Sequence, residues 1–393
     1  MEEYCFLLKD VLEQLGHEVI PFAQLEDDTL DAPSKRYFVP EVDPTAPGFR
    51  SRFRSSRRAV FGDETVRAIR RLLATEKIDA AHVVHAYHQL GPMFMRELGR
   101  RGIPTLLSVH DYKLSCPSYR LLNDSTHQIC TICLDEPRRR ITAPAETRCW
   151  RGSRAGGLVL GAEAAAVNVM KPYQVAARVL VSNELMRQSA LAGGIEADRI
   201  KIVPNFWPSP DTAPERSVSP HVLFVGRLVV EKGIDVLIRA AAQSGVPVRI
   251  VGTGPLEGEL RELSQTLSAP VEFIGQVWGN GVETEMLAAA ALVVPSIWHE
   301  VSPLVIYQAM TLGVPVIGSR VGGIPDLLGE DRGVMVAPGN VEALAAELRR
   351  TGGEREAFDA MARRARDYSH RELSRAKFVD RISDAYREAG AAL

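Results

Sequence analysis

The strongest constraint on the fold is an alternation of short apolar runs and helical patterns that fills the second half of the chain. The apolar runs lie at 221–226, 248–252, 271–275, 291–295, 315–318 and 333–336. Helical patterns separate or follow them at 231–243, 256–267, 282–290, 303–312 and 341–350. Buried strands that alternate with helices of about a dozen residues are typical of βαβ units around a parallel sheet. The second half is therefore predicted to be one doubly wound α/β domain.

The first half shows the same alternation less regularly. A helix is predicted over 3–15, ending at Gly16. Strands are predicted at 18–22, 80–84, 105–109 and 179–181. Five prolines then crowd into 204–220, where they interrupt any regular element. We expect two facing Rossmann-like domains, 1–206 and 207–370, with a ligand cleft at the carboxyl ends of their strands.

The start of the chain departs from the usual pattern of such a domain. It opens directly in the predicted helix, so either the start of the chain is misassigned or truncated, or the first domain is expected to lack its first strand. The glycine-bearing loop that normally follows that strand would be absent with it.

Composition narrows the class of protein. A chain of 393 residues suggests two or three domains. Lys and Arg number 47 against 49 Asp and Glu, a balance that argues against nucleic acid as a partner. The most apolar stretch, 155–170, is interrupted by Glu163 and is too short and polar for a membrane span. Glu2 and Glu3 argue against a signal peptide, and five cysteines against a secreted disulfide scaffold. A cytoplasmic protein is expected.

One cluster of basic residues lies where a parallel strand should end. Arg227 follows the strand that closes in Gly226, and Lys232 opens the helix behind it. Two cations beside the N–H groups of a helix N-terminus suit a diphosphate. The alternative is two solvated basic residues on a loop.

A second cluster surrounds the start of the helical pattern at 303–312. Ser302 is predicted as its N-cap and Pro303 as its first residue, which leaves the N–H groups of Leu304 and Val305 free for an anion.

Two polar side chains flank that helix start. Gln308, further along the same helix, can reach the hydroxyls of a sugar, and Glu300 just before the helix can accept hydrogen bonds from a second sugar. The alternative is that Glu300 is a solvated loop acid and Gln308 a surface side chain.

Two glycine motifs have other interpretations. Gly322 and Gly323 let backbone approach a ligand, or simply form a tight turn. Gly252 and Gly254 begin a dinucleotide fingerprint that fails at Glu257, where the third glycine belongs. An NAD-dependent oxidoreductase is therefore disfavoured.

The motifs, taken in order, resemble the nucleotide-sugar half of family 4 retaining glycosyltransferases, which have the GT-B fold. They are GR-x4-KG at 226–233, G-x-GP at 252–255, F-x-G at 273–275, HE-x7-Q at 299–308 and GG at 322–323. The resemblance continues upstream at 16–23, 82–88, 109–117, 181–185 and 201–206. It covers nearly the whole chain. The final helix, within 371–393, resembles the one that crosses back to the first domain in this fold.

The resemblance implies transfer of a sugar from a nucleotide-diphosphate donor, most often a UDP- or GDP-sugar, to a glycan, glycolipid or small molecule, with retention of configuration. Arg227 and Lys232 match the residues that stabilise the departing diphosphate. Glu300 matches the acid at the donor-sugar hydroxyls, Gln308 stands where a second acid holds the ribose, and His110 matches a histidine of the reaction centre. No metal is implied for donor binding.

The donor site implied as a whole is larger than these catalytic positions. It comprises Gly226, Arg227, Lys232, Gly254, Glu300, Ser302, Pro303, Leu304, Val305 and Gln308. Gln308 replaces a carboxylate of the family pattern, and the first strand is expected to be absent. The alternative function is therefore a weakened or inactive binding protein with a transferase fold.

The cysteines pose a separate question. Cys116, Cys130, Cys133 and Cys149 read C-x13-C-x2-C-x15-C within an insertion at about 112–152. Four thiolates closing around a structural zinc ion would hold this segment together. Disulfides and four unrelated buried thiols are the alternatives.

A basic aromatic segment suggests one further partner. It contains Phe49, Arg50, Arg52, Phe53, Arg54, Arg57 and Arg58. It is either solvated surface or a contact with anionic lipid head groups, which would give peripheral attachment at the inner face of a membrane, as suits enzymes of surface polysaccharide or glycolipid assembly.

Overall fold

The computed structural model describes residues 2–25, 32–41, 61–85, 87, 90–210, 212 and 214–391. In the first half, the strands are β1 (Ala81–Val84), β2 (Thr105–Ser108), β3 (Leu122–Asn123), β4 (Gln128–Ile129), β5 (Arg178–Val181) and β6 (Ile200–Ile202). The helices are α1 (Glu2–Gln14), α2 (Asp63–Thr75), α3 (Met95–Arg100), α4 (Ile132–Asp135), α5 (Ala143–Thr147), α6 (Arg154–Met170) and α7 (Glu184–Ala192).

The first sheet is parallel and, among the described residues, has the order β1-β2-β5-β6. Three of its strands were predicted from the apolar runs, and these predictions are confirmed. β3 and β4 form a separate antiparallel hairpin inside the cysteine-bearing segment.

The predicted strand at 18–22 is wrong. The described residues before β1 belong to no sheet. Among them, Gln24 and Val39 form one isolated parallel bridge. Apolar residues alone do not make a strand, because the backbone also needs a neighbouring strand for its N–H and C=O groups.

The second half has the predicted alternation. Its strands are β7 (Val222–Val225), β8 (Val248–Val251), β9 (Val271–Gly275), β10 (Ala291–Val294), β11 (Val316–Ser319) and β12 (Val334–Val336). Its helices are α8 (Ile234–Ser244), α9 (Glu257–Thr266), α10 (Asn280–Ala288), α11 (Leu304–Leu312), α12 (Ile324–Leu328), α13 (Val341–Gly353), α14 (Arg355–Glu372) and α15 (Arg375–Glu388).

These six strands form one parallel sheet in the order β12-β11-β10-β7-β8-β9. The chain moves from β7 out to β9 and then returns to the other side of β7 to build β10. The strand order therefore reverses between β7 and β10, and an open α/β sheet binds its ligands at such a switch point, outside the carboxyl ends of the strands.

Two apolar clusters cover the two faces of this sheet. Along β7, Val222 and Phe224 enter one cluster and Leu223 enters the other. Successive side chains of a strand point to opposite faces, so a strand buried on both sides must be apolar at every position. This is why β7 and β10, at the centre of the sheet, read as short uninterrupted apolar runs.

The end of the chain lies on the first sheet. Phe378 and Ile382 of α15 are buried in a cluster with Leu8 of α1 and Leu106 of β2. Glu388 at the end of α15 forms ion pairs with Lys201 at 2.8 Å and with Arg178 at 3.0 Å. The last helix thus ties the second half of the chain to the first domain.

α6 is an apolar helix with an exposed side. Val169 is 82% exposed and Leu158 64%. Across the described residues, all helices fall short of the length and apolar character that a membrane span requires.

Candidate active site

Lys232 of the first motif and Glu300 of the second meet at the switch point. Lys232 Nζ lies 2.7 Å from Glu300 Oε1, which also accepts a hydrogen bond of 2.6 Å from Ser296 Oγ. Glu300 is only 5% exposed. The loops that follow the neighbouring strands β7 and β10 are therefore joined by a largely buried ion pair between two residues 68 positions apart.

A glycine sets the approach of these two loops. Gly233 has φ +64°, and a Cβ at this position would lie 2.2 Å from the carbonyl oxygen of Pro295. Any other residue would push α8 away from the end of β10. The GR-x4-KG spacing thus places Lys232 against Glu300 because its last glycine allows the backbones to touch.

Gly322 and Gly323 play a similar part on the other side of Glu300. A Cβ on Gly322 would lie 2.2 Å from the Glu300 carbonyl oxygen, and that oxygen accepts a hydrogen bond of 2.7 Å from the Gly323 N–H. The close approach predicted for this pair exists, but the group approached is the Glu300 backbone. The pair therefore fixes the position of the candidate catalytic acid.

Arg227 differs from Lys232 in its surroundings. It is exposed, and within the part of the chain that the structure describes its guanidinium has neither a hydrogen-bond acceptor nor an ion-pair partner. Gly254 packs closely against the loop that carries Arg227, since a Cβ at Gly254 would come within 2.5 Å of the Leu228 carbonyl oxygen. Gly226 packs in turn against Gly252. These glycines place the loop, and Arg227 projects a cation from it.

The helix start after Glu300 is shifted from its predicted position. α11 begins at Leu304 with Pro303 as its N-cap, so the predicted capping by Ser302 is wrong. Pro303 has the extended ψ of 97°, which moves the first helical residue one position along. The Ser302 hydroxyl instead accepts from Asn205 Nδ2 at 2.9 Å and donates to Tyr307 Oη at 3.1 Å.

Donor groups remain available at this helix start. The N–H groups of Leu304 and Val305 have no acceptor among the described residues. Gln308 lies on the same face of α11 as Leu304, is 8% exposed, and its side-chain amide is likewise without a partner in the described structure. One end of α11 therefore offers two backbone donors and one amide.

His110 follows β2 on the first-domain side. Its ring stands edge-on to Tyr4 at 4.2 Å between centroids, and its Nε2 is buried without a hydrogen-bond partner in the described residues. Burial, aided by the neighbouring His85, lowers the pKa of His110 to about 3. The imidazole is therefore neutral near pH 7 and can only donate or accept a hydrogen bond there.

The loop before Glu300 carries further buried polar atoms. The indole Nε1 of Trp298 and both ring nitrogens of His299 lack partners within the described parts of the chain. Burial lowers the pKa of His299 as well. Buried donors without partners are costly to a folded protein, and a bound ligand with hydroxyl groups is one way to satisfy them.

The first domain contributes side chains that sequence reasoning missed. Asn183, at the end of β5, caps α7 by accepting from the Met186 N–H at 2.9 Å, and its Nδ2 donates to the Val301 carbonyl. Tyr112 Oη donates to the Glu300 carbonyl at 3.4 Å. No spacing in the sequence links these pairs. The only signal is that each residue follows a strand of the first sheet.

A buried acid beside His110 was also missed. Asp111 Oδ2 lies 3.2 Å from His85 Nε2, and burial raises the pKa of Asp111 to about 7. The HD pair at the end of a predicted strand was the available signal, because polar residues at that place face the site.

The four predicted metal ligands come together away from the donor site. Cys116, Cys130, Cys133 and Cys149 line one small cavity of about 10 Å³, and none of them forms a disulfide. Among the described residues, no three His, Cys, Asp or Glu side chains stand in a ready-made metal-binding arrangement. The basic aromatic segment at 49–58 lies outside the described residues.

Two family models match the chain and together span nearly all of it. Glycosyl transferase 4-like domain matches residues 1–205, and Glycosyl transferases group 1 matches residues 209–368. Sulfoquinovosyl transferase SQD2 of Arabidopsis thaliana is 32% identical over 154 residues, which is 38% of this chain and 29% of that protein. The first curated relatives are matched over only about a third of their own length.

Solved structures share the fold. Sucrose-phosphate synthase from Thermosynechococcus elongatus superposes with a TM-score of 0.68 at 21% identity, covering 99% of this chain and 93% of that one. HepE of Anabaena in complex with UDP-glucose gives a TM-score of 0.58 at 15% identity, covering 93% and 99%. These likenesses show the GT-B fold, two Rossmann-like domains that face each other.

Proposed function

Because the chain belongs to the glycosyl transferase 4-like family, we propose that it transfers a sugar from a nucleotide-diphosphate donor to a hydroxyl acceptor with retention of configuration. The observation that carries the proposal is the meeting of Lys232 and Glu300 at the switch point of the second sheet. Arg227, exposed and unpaired in the described structure, lies on the adjoining loop. Cations and a helix start collected at one sheet edge suit a diphosphate.

Arg227, Lys232 and the free N–H groups at the start of α11 receive the diphosphate. When the bond between the sugar C1 and the phosphate oxygen breaks, its electron pair leaves with the diphosphate. Fixed positive groups aimed at that developing charge lower the barrier most effectively. Lys232 then exchanges part of its contact with Glu300 for the phosphate.

Glu300 and the neutral His110 orient the donor sugar. The carboxylate accepts hydrogen bonds from sugar hydroxyls, and the unpaired Nε2 of His110 meets a further hydroxyl. The acceptor oxygen attacks C1 on the face from which the diphosphate leaves, and its proton passes to the departing phosphate oxygen. Gln308 holds the ribose through its free amide. The donor is expected to be a UDP- or GDP-sugar.

Calorimetry with a panel of UDP-, GDP- and ADP-sugars tests donor binding. Arg227→Ala removes one charge-assisted contact worth about 1.5–3 kcal/mol, so affinity should fall roughly tenfold to a hundredfold. Arg239→Ala, an exposed residue of α8 without an ion-pair partner in the described structure, is the matched control and should bind as wild type. Wild-type protein that gives no heat with any donor would favour the inactive binding protein instead.

The acceptor side adds a second element to the proposal. We propose that the protein contacts an anionic membrane, where lipid-linked glycan acceptors lie. Leu158 and Val169 of α6 are exposed apolar side chains, and Arg151 and Arg154 lie exposed at the start of this helix. Apolar groups flanked by cations suit an anionic lipid surface.

Vesicle sedimentation tests this contact. The protein should sediment with vesicles that contain phosphatidylglycerol and much less with pure phosphatidylcholine. Leu158→Ser should weaken the binding, while Trp278→Ser, at an exposed apolar residue of the second domain, should not. Equal sedimentation with both lipids, or with neither, would contradict the proposal.

A further inference from the structure

We propose that the segment at 112–152 binds one structural zinc ion through four thiolates. The ligands are Cys116, Cys130, Cys133 and Cys149. Metal binding at this place does not depend on the proposed transferase activity.

The first support is convergence. Cys116 follows β2, Cys130 follows β4, Cys133 belongs to α4 and Cys149 comes after α5. Although three stretches of the segment carry them, all four line the same cavity of about 10 Å³. Unrelated buried thiols would be scattered over the segment, so this alternative is disfavoured.

The second support is the chemistry of the cavity wall. Apart from the four cysteines, the wall consists of apolar or small side chains and the hydroxyls of Ser118 and Thr147. Of the residues that the structure describes, none lines it with a carboxylate, imidazole or amine. An all-sulfur set of four donors suits a soft ion with tetrahedral geometry, which in proteins is most often zinc.

The surroundings also provide what a tetrathiolate site needs. Ser118 Oγ lies 3.2 Å from Cys116 Sγ, and the N–H of Ile132 lies within hydrogen-bonding reach of the Cys130 sulfur. Arg139 and Arg140 are close enough to act electrostatically on the Cys130 and Cys133 thiols. Hydrogen bonds to sulfur and nearby cations offset the negative charge that four thiolates leave around a divalent ion.

Zinc binding at this site exchanges protons for the metal ion and changes no oxidation state. Each thiol releases its proton to solvent as a zinc–sulfur bond forms, and no oxidant or reductant takes part. In the described structure the thiols line the cavity without the arrangement of a completed site. Coordination therefore requires the side chains to turn toward the cavity centre.

The disulfide alternative is weaker. Cys116, Cys133 and Cys149 are each 7% exposed, and none is paired with another. A reversible disulfide of a CxxC motif needs access for its exchange partner, whereas a structural metal site needs closure.

The inferred site has a structural consequence for the active site, and only this consequence rests on the proposed function. Arg120 lies between Cys116 and Cys130, forms an ion pair of 2.7 Å with Asp124, and reaches Glu231 of the second domain. Glu231 adjoins Lys232. A metal that orders this segment therefore holds Arg120 across the domain junction, beside the diphosphate site.

Metal analysis of the full chain tests the proposal. Wild-type protein purified under reducing conditions without added metal should contain one zinc ion per chain, measured by elemental mass spectrometry. The control variant Cys5→Ser, which alters a cysteine outside the cavity, should contain the same amount. Cys130→Ser and Cys133→Ser should fall to background.

A second measurement covers the case in which those variants fail to fold. Wild-type protein produced with cobalt in place of zinc should show thiolate-to-cobalt charge-transfer absorption and the visible bands of a tetrahedral site. Folded wild-type protein that holds neither zinc nor cobalt would overturn the proposal. So would a Cys130–Cys133 disulfide found by mass mapping of protein alkylated before exposure to air.

Discussion

On the second-domain side of the active site, glycines with no room for a Cβ hold the strand-end loops against one another, whereas on the first-domain side polar side chains reach across the junction. Gly233 and Gly322 bring backbone within 2.2 Å of where a Cβ would stand. Asn183 and Tyr112 instead donate hydrogen bonds to carbonyl groups of the other domain. The comparison teaches that one side is fixed by backbone packing and the other by interactions that domain movement can make and break.

The largest expected effect breaks the backbone packing. Gly322→Ala places a Cβ 2.2 Å from the Glu300 carbonyl oxygen at φ +62°, so both contact and conformation resist it. We expect the second domain to lose more than about 4 kcal/mol of its free energy of unfolding, measured by urea denaturation.

The matched control is Gly245→Ala, at φ +71° with open space around it. Only the backbone strain applies there, so the loss should be about 1–2 kcal/mol. Equal losses for the two variants would show that the close contact with Glu300 does not constrain the fold.

The next effect concerns the ion pair. Lys232→Ala leaves Glu300 buried without its cation, which should cost about 3 kcal/mol of the free energy of unfolding and abolish transfer. Lys232→Met combined with Glu300→Gln should recover most of the stability but none of the activity. Transfer activity retained by the double variant would contradict the catalytic role of both residues.

A smaller effect tests the first-domain side. Asn183 and Asn340 both cap helices through Oδ1, accepting N–H bonds of 2.9 Å, but only Asn183 also donates across the junction. Alanine at either position should lower the free energy of unfolding by about 1 kcal/mol, because the helix cap is lost. Asn183→Ala should lower it by about 1 kcal/mol more, because the hydrogen bond to the Val301 carbonyl is lost as well. Thermal unfolding measures both, and identical losses would mean that the contact with Val301 contributes nothing.

The smallest effect is the part of the pH dependence of stability that comes from His82 in the first domain. Burial lowers the pKa of His82 to about 3, so it is neutral when folded and takes a proton only when unfolded. Its contribution to stability is present above the unfolded pKa of about 6.5 and is lost as pH falls toward 3.

Between pH 7 and pH 5.5 this loss should reach about 1 kcal/mol. His82→Asn should remove this contribution from the slope of the free energy of unfolding against pH. His127→Asn, at an exposed histidine, should leave the slope unchanged. Unfolding curves at several pH values measure it, and an unchanged slope in His82→Asn would assign the acid sensitivity elsewhere.

Sequence reasoning succeeded where signals are local. The strands of the second sheet follow from apolar runs that must be buried on both faces, and the cluster from Gly226 to Lys232 follows from its position at a strand end. The predicted strand at 18–22 is wrong, because an apolar run does not reveal whether a neighbouring strand exists to pair with it. The predicted N-cap at Ser302 is wrong by one residue, because the backbone angle of Pro303 sets the helix start at Leu304.

The amino-acid sequence by itself determined the fold family, the position of the motifs at strand ends and the residue types available there, since periodicity and strand-end motifs are properties of neighbours in the chain. Only the tertiary structure decided that Lys232 binds Glu300, that Gly322 supports the Glu300 backbone and that four distant cysteines share one cavity. The reason is physical: these contacts join residues separated by long stretches of chain, and their distances follow from how the strands are ordered and packed.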